Sequence, residues 1–211
     1  MTTTQIIAKQ GWIGTGVLLA LFLISALFDW TLCGFVSLVC LILWVAMFRN
    51  PERIPQTHEN NAFVSPVDGI VRDIYSTNNE VHIKIETSFL DVGVIRAPCD
   101  VFEGKISQKK GLSLTCCNKQ KQAQLNATMR FENKQDCVFS MEFFPIFFSS
   151  HELFAYSHLE LGERIGFMKA GMTQITIPQD SKNSFNEIEL KVSIGDRVSA
   201  SQSVLGYFYE V

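Results

Sequence analysis

Two uncharged apolar runs stand back to back near the N-terminus, and they constrain this chain more than any other feature. Trp12 to Phe28 and Trp30 to Phe48 contain no charged residue, and Asp29 alone separates them. A helix needs about 20 residues to cross a hydrocarbon core, and each run is close to that length. The pattern predicts a transmembrane helical hairpin over residues 1–48, with its turn at Asp29. Trp12, Trp30 and Trp44 lie near the run ends, where amphipathic indoles favour the membrane interface. A signal peptide is the competing reading, but it needs a basic start and a small-residue cleavage site, and no second run should follow at once. Lys9 precedes the hairpin, and Arg49 and Arg53 follow it. Positive charge marks the cytoplasmic side of a span. Both outer ends are therefore expected in the cytoplasm, with residues 49–211 forming a cytoplasmic domain at the cell (inner) membrane.

That second part reads as β. Val81-His82-Ile83-Lys84-Ile85-Glu86 alternates apolar and polar side chains, as do Gln174-Ile175-Thr176-Ile177 and Glu187-Ile188-Glu189-Leu190-Lys191-Val192. Alternation with a period of two is the mark of a half-buried strand. Pro145 and Pro178 are expected at strand ends. Three segments are punctuated by glycine: Val67-Asp68-Gly69-Ile70-Val71, Val101 to Ile106, and Ile194-Gly195-Asp196-Arg197-Val198. The last continues to Val204-Leu205-Gly206 and resembles the hairpins of barrel-sandwich hybrid domains. The expectation is an all-β domain of that kind. A net charge of -3 over 211 residues offers no basic surface for nucleic acid. Cys33 and Cys40 fall in the apolar runs, and Cys99, Cys116, Cys117 and Cys137 lack zinc-type spacing. The vicinal Cys116-Cys117 pair is read as two thiols on an alternating strand.

Four motifs carry a more specific signal. They are Arg49-Asn50-Pro51-Glu52-Arg53, Ser65-Pro66-Val67-Asp68-Gly69, Asp91-Val92-Gly93-Val94-Ile95-Arg96-Ala97-Pro98 and Gly162-Glu163-Arg164-Ile165-Gly166-Phe167-Met168-Lys169-Ala170-Gly171-Met172-Thr173. Together they resemble the short phosphatidylserine decarboxylases, membrane-associated enzymes that cut their own chain to make a pyruvoyl cofactor. The resemblance spans most of the chain and fails between about Asn118 and His158, where Phe143-Phe144-Pro145-Ile146-Phe147-Phe148 stands instead of a Gly- and Arg-rich stretch. That run is expected to form a buried strand, with a dip into the membrane surface as the other possibility.

The resemblance implies a serine directly after Gly171, whose hydroxyl attacks the glycine carbonyl, and a histidine at position 93 that takes its proton. Here those positions hold Met172 and Gly93. A thioether has no hydroxyl to attack or eliminate, and glycine has no titratable group. No pyruvoyl group is expected from Met172. Thr173 carries the nearest hydroxyl and is the alternative nucleophile; the serine is also readable as deleted rather than replaced. Asp68 is the family's support for the histidine by resemblance, and by its own sequence a turn residue before Gly69.

Other candidates stand on thinner ground. His82 is expected on a solvated strand face. His151 and His158, with Glu152 and Glu160, match no familiar metal spacing. Lys169 is similar to the modified lysine of biotin carriers. The chain therefore reads as a membrane-anchored, pyruvoyl-free relative of the decarboxylases, linked to phosphatidylethanolamine metabolism. Its expected partners are a membrane lipid such as a phosphatidylserine headgroup, a second copy, or an intact decarboxylase. The alternatives are an active decarboxylase using Thr173 and a membrane-tethered adaptor without lipid chemistry.

Overall fold

The computed structural model describes residues 7–55, 57, 59, 61–102, 104–112, 126–133, 138–147, 152–154, 158–179 and 187–209. The chain divides into two compact units, Met1–Glu52 and Arg53–Val211.

The first unit is helical. A 3-10 turn at Lys9–Gly11 leads into α1 (Trp12–Leu27), and α2 (Thr31–Met47) follows. Asp29 makes the turn with a left-handed φ of 52°, and the Thr31 N–H donates to its carbonyl at 3.0 Å. The helices meet where small residues leave room. The Trp44 indole covers Gly14, and its Nε1 donates to the Gly11 carbonyl at 3.0 Å. Gly34 faces Ser25. Most other side chains point outward, including Ile13, Leu27 and Leu32. Lys9–Leu27 is long and apolar enough to cross a membrane by length and composition, with a mean hydropathy of 1.8; Thr31–Met47 is shorter.

The second unit is built of strands, and no helix occurs among its described residues. Its main sheet has seven antiparallel strands. In spatial order they are β14 (Arg197–Val198), β2 (Gly69–Thr77), β3 (Glu80–Thr87), β12 (Ala170–Pro178), β8 (Phe139–Phe147), β7 (Thr128–Asn133) and β6 (Lys105–Lys109). A second sheet runs β1 (Ala62–Val64), β15 (Val204–Tyr209), β13 (Glu187–Leu190), and a third runs β4 (Val94–Arg96), β11 (Arg164–Phe167), β9 (Glu152–Leu153). β5 (Val101–Phe102) pairs with β10 (His158–Leu159).

Alternation places the core. Val81, Ile83 and Ile85 of β3 and Ile175 and Ile177 of β12 are buried, next to Met129 and Phe131 of β7 and Phe139, Met141 and Phe143 of β8. Phe63, Ile95, Ile165, Leu205 and Phe208 join the same cluster from the smaller sheets. Phe63 meets Phe139 and Phe208 edge-on, at ring separations of 5.3 and 5.6 Å, an arrangement aromatic quadrupoles favour.

Among the described residues the main sheet does not close into a barrel: β14 and β6 are its two ends and do not pair. Closure needs a continuous staggered ladder, and β14 is two residues long. The Gly69 and Gly195 segments are nonetheless neighbours, with Val198 opposite Gly69 and the Gly195 N–H on the Val71 carbonyl at 2.8 Å. Pro145 lies inside β8, opposite Gly171, rather than at a strand end. It is accommodated because the register with β12 shifts there, between Ala170 and Gly171, and bulges are where sheets accept proline. The run from Phe143 enters β8 with Phe143 fully buried and Ile146 exposed; Phe148 lies outside the described residues.

Candidate functional site

The four motifs come together as a clamp. Asp68 is buried, and its carboxylate takes both terminal nitrogens of Arg53, with Nη2 at 2.6 Å from Oδ2. The Ala200 N–H donates to Asp68 Oδ1 at 2.8 Å, and Arg53 Nη1 reaches the Ala200 carbonyl at 3.1 Å. The Thr87 hydroxyl donates to the Asp68 carbonyl at 2.7 Å. A bidentate guanidinium–carboxylate pair is strong and geometrically demanding, so Asp68 is committed to fastening Arg53 and the turn at Ala200. The turn reading of Asp68 from sequence is not what its carboxylate serves: it bonds Arg53 and Ala200, far along the chain, and Gly69 starts β2 without a left-handed φ.

The other motifs lock in the same way. Arg96 Nη1 donates to the Gly162 carbonyl at 2.9 Å, and the Arg96 N–H to the Pro66 carbonyl at 2.9 Å. The Ala97 N–H donates to the Glu163 carbonyl at 2.8 Å, and the Gly162 N–H to the Ala97 carbonyl at 3.0 Å. Gly162 sits at φ 85°, and a Cβ there would meet Ser201 Oγ at 3.1 Å. Only glycine suits that combination of conformation and crowding.

Gly171, Met172 and Thr173, singled out by the resemblance, lie at the start of β12. Gly171 is opposite Thr87 on one side and Pro145 on the other. Met172, opposite Glu86 and Phe144, faces outward and is half-buried. Thr173, opposite Ile85 and Phe143, faces the core. It is fully buried, and its Oγ1 has no hydrogen-bond partner among the described residues. Gly93 is buried, and its carbonyl accepts the Met168 N–H at 2.8 Å.

Lys169 does not stand as the modified lysine of a biotin carrier does. A lysine that carries a group must stand clear of the surface, but Lys169 is 1% exposed. Its Nζ donates to the Asp91 carbonyl at 2.8 Å and lies 5.9 Å from the Phe89 ring centre. The Asp91 side chain takes the Ser88 N–H at 2.8 Å and Arg197 Nη2 at 2.6 Å. The loop before Gly93 is thus pinned from three directions.

His82 lies on the outer sheet face as expected, yet it is not freely solvated. Its Nδ1 is 3.0 Å from Thr176 Oγ1, its ring stacks on Tyr75 at 4.7 Å, and its side chain is 13% exposed. Thr176 and Tyr75 are its cross-strand neighbours, and His82 and Thr176 line a shallow polar groove of about 390 Å³ together with Glu80, Gln174, Glu142 and Arg130. Among the described residues, no three His, Cys, Asp or Glu side chains gather to hold a metal. His151, Cys116, Cys117 and Cys137 lie outside the described residues.

An open antiparallel β domain following an apolar helical N-terminus, with Arg53–Asp68 and Arg96–Gly162 locks, defines the class. The model of the phosphatidylserine decarboxylase family matches residues 41–206, and the chain belongs to that family. It is 25% identical over 228 residues to the phosphatidylserine decarboxylase proenzyme of Symbiobacterium thermophilum, covering 95% of each chain. The proenzyme of Geotalea uraniireducens is 25% identical over 218 residues, again with 95% of each covered. That of Carboxydothermus hydrogenoformans is 25% identical over 186 residues, covering 82% of this chain and 83% of its own. No solved structure matches.

Proposed function

We propose that this protein is a membrane-tethered member of the phosphatidylserine decarboxylase family that stays uncleaved and makes no pyruvoyl group. Its link to phosphatidylethanolamine metabolism is then through association, with a membrane lipid or an intact decarboxylase, rather than through catalysis. The observation that carries this reading is the presence of Gly93 and Met172 at the two positions where the resemblance puts the base and the nucleophile. Self-cleavage needs a hydroxyl and a base at those positions, and neither side chain supplies one. Thr173 is a poor substitute, because its hydroxyl points into the apolar core between Ile85 and Phe143 with no acceptor for its proton among the described residues. The residues present do not fit the family's cofactor.

The tether rests on the apolar, outward-facing surfaces of α1 and α2. Lys9, Arg49 and Arg53 favour a cytoplasmic β unit. A C-terminal reporter should be active only in the cytoplasm, and activity outside it would reverse the orientation. Intact mass of the purified chain decides the chemical question. One species of 211 residues without a ketone is expected. Fragments of 172 and 39 residues, the smaller with a carbonyl-reactive N-terminus, would establish cleavage before Thr173. Release of carbon dioxide from phosphatidylserine would overturn the reading equally.

A further inference from the structure

The position expected to hold the base is not merely empty of an imidazole; its space is taken. A Cβ built on Gly93 would lie 2.9 Å from the Met168 carbonyl oxygen and 3.0 Å from Cε2 and Cζ of Phe167. The φ of Gly93 lies outside the left-handed region, so backbone conformation does not call for glycine here. Crowding does. We propose that Phe167 and Met168 hold this slot shut, so that an imidazole at position 93 cannot enter without displacing β11.

The neighbours have little freedom to yield. The crowding oxygen belongs to the residue whose N–H is bonded to the Gly93 carbonyl, so it moves only if that link moves. Phe167 is 2% exposed and pairs with Val94, itself buried, across β4 and β11. A close-packed ring has no vacant rotamer to occupy. On the other side, Lys169 and Arg197 pin Asp91, which limits how far the loop can swing away. Met168 also reaches the second reacting position: its sulfur would lie 3.0 Å from a Cβ on Gly171. Two adjacent side chains therefore fill both ends of the site. The inference rests on the proposed function only in taking position 93 as the place of the base, and it makes the loss of the reaction a matter of shape as well as residue identity.

The test uses thermal unfolding of the full-length protein in detergent. Gly93→Ala adds the crowded Cβ alone and Gly93→His adds the ring. Each is made with Phe167 intact and together with Phe167→Ala. Gly93→Ala should lower Tm, and Gly93→His should lower it by roughly 3–10 °C more when Phe167 is intact. With Phe167→Ala, the extra loss from alanine to histidine should vanish, because the ring then has room. Comparing the two substitutions within each background cancels the cavity that Phe167→Ala itself creates. If Gly93→His fails to fold with Phe167 but folds alongside Phe167→Ala, the proposal is supported. It is overturned if histidine costs no more than alanine with Phe167 intact, or if the extra cost, or failure to fold, persists in both backgrounds. Intact mass of the unaltered chain is read separately, so cleavage there would sink the functional reading without touching the packing result.

Discussion

At the scale of single residues, polar groups placed in the core make the sharpest predictions. Thr173 buries a hydroxyl without a partner among the described residues, so Thr173→Val, which keeps the shape, should stabilise the protein by about 1 kcal/mol, read as a rise in denaturation midpoint. The same change should leave the intact mass behaviour unaltered, which would separate Thr173 from any cleavage. Arg53 and Asp68 are the opposite case. Their side chains are each 11% exposed, and removing one leaves the other charge buried, so Arg53→Ala should cost about 3 kcal/mol. A loss near zero by denaturant titration would show that water reaches the pair. On the surface, Lys191 and Tyr209 donate hydrogen bonds to Glu189 and lower its pKa. A depressed folded value means its contribution is present above the unfolded pKa and fades as pH falls through the folded one. Glu189→Gln should flatten the acid limb of the stability curve slightly, since water screens this exposed cluster.

At the scale of elements, the bulge opposite Pro145 is the vulnerable join. A Cβ on Gly171 would lie 2.4 Å from the Phe144 carbonyl. Gly171→Ala should therefore destabilise by roughly 1–3 kcal/mol, and an unchanged melting curve would mean that β8 and β12 sit further apart. Much of this architecture was legible. The alternation of Ile175 and Ile177 places Thr173 inward by parity, a consequence of the period of two alone. The strands over Val81–Glu86 and Gln174–Ile177 are readable for the same reason. What the chain hides are contacts that depend on spacing between strands distant in sequence: the closure around Gly93, the burial of Lys169, and the pairing of Asp68 with Arg53 across irregular segments. Barrel closure is unreadable too, because it turns on the length of β14, and two-residue strands leave no periodic trace. The Arg, Pro-Val-Asp-Gly and Gly-Glu-Arg motifs are recognisable as family signatures, but nothing in their order along the chain says that they bind one another.

At the scale of the whole molecule, the division between Glu52 and Arg53 predicts that Arg53–Val211 folds by itself, without detergent, in one cooperative transition. A chain starting at Ile54 lacks the guanidinium for Asp68 and should melt earlier; equal melting of the two would remove the clamp from the stability of the unit. The strand to which the resemblance assigns the chemistry also limits how this protein could change. Side chains in β12 alternate, so shifting its later part by one residue would send Ile175 and Ile177 into water and bring Gln174 and Thr176 inside. Only the irregular step between Ala170 and Gly171 can take up an odd residue while the even-odd order of the strand is kept. Evolution can lengthen or shorten this strand by twos nearly anywhere along it, but by ones at a single joint, and that joint lies on the N-terminal side of Gly171, one residue away from the place where the resemblance puts the serine.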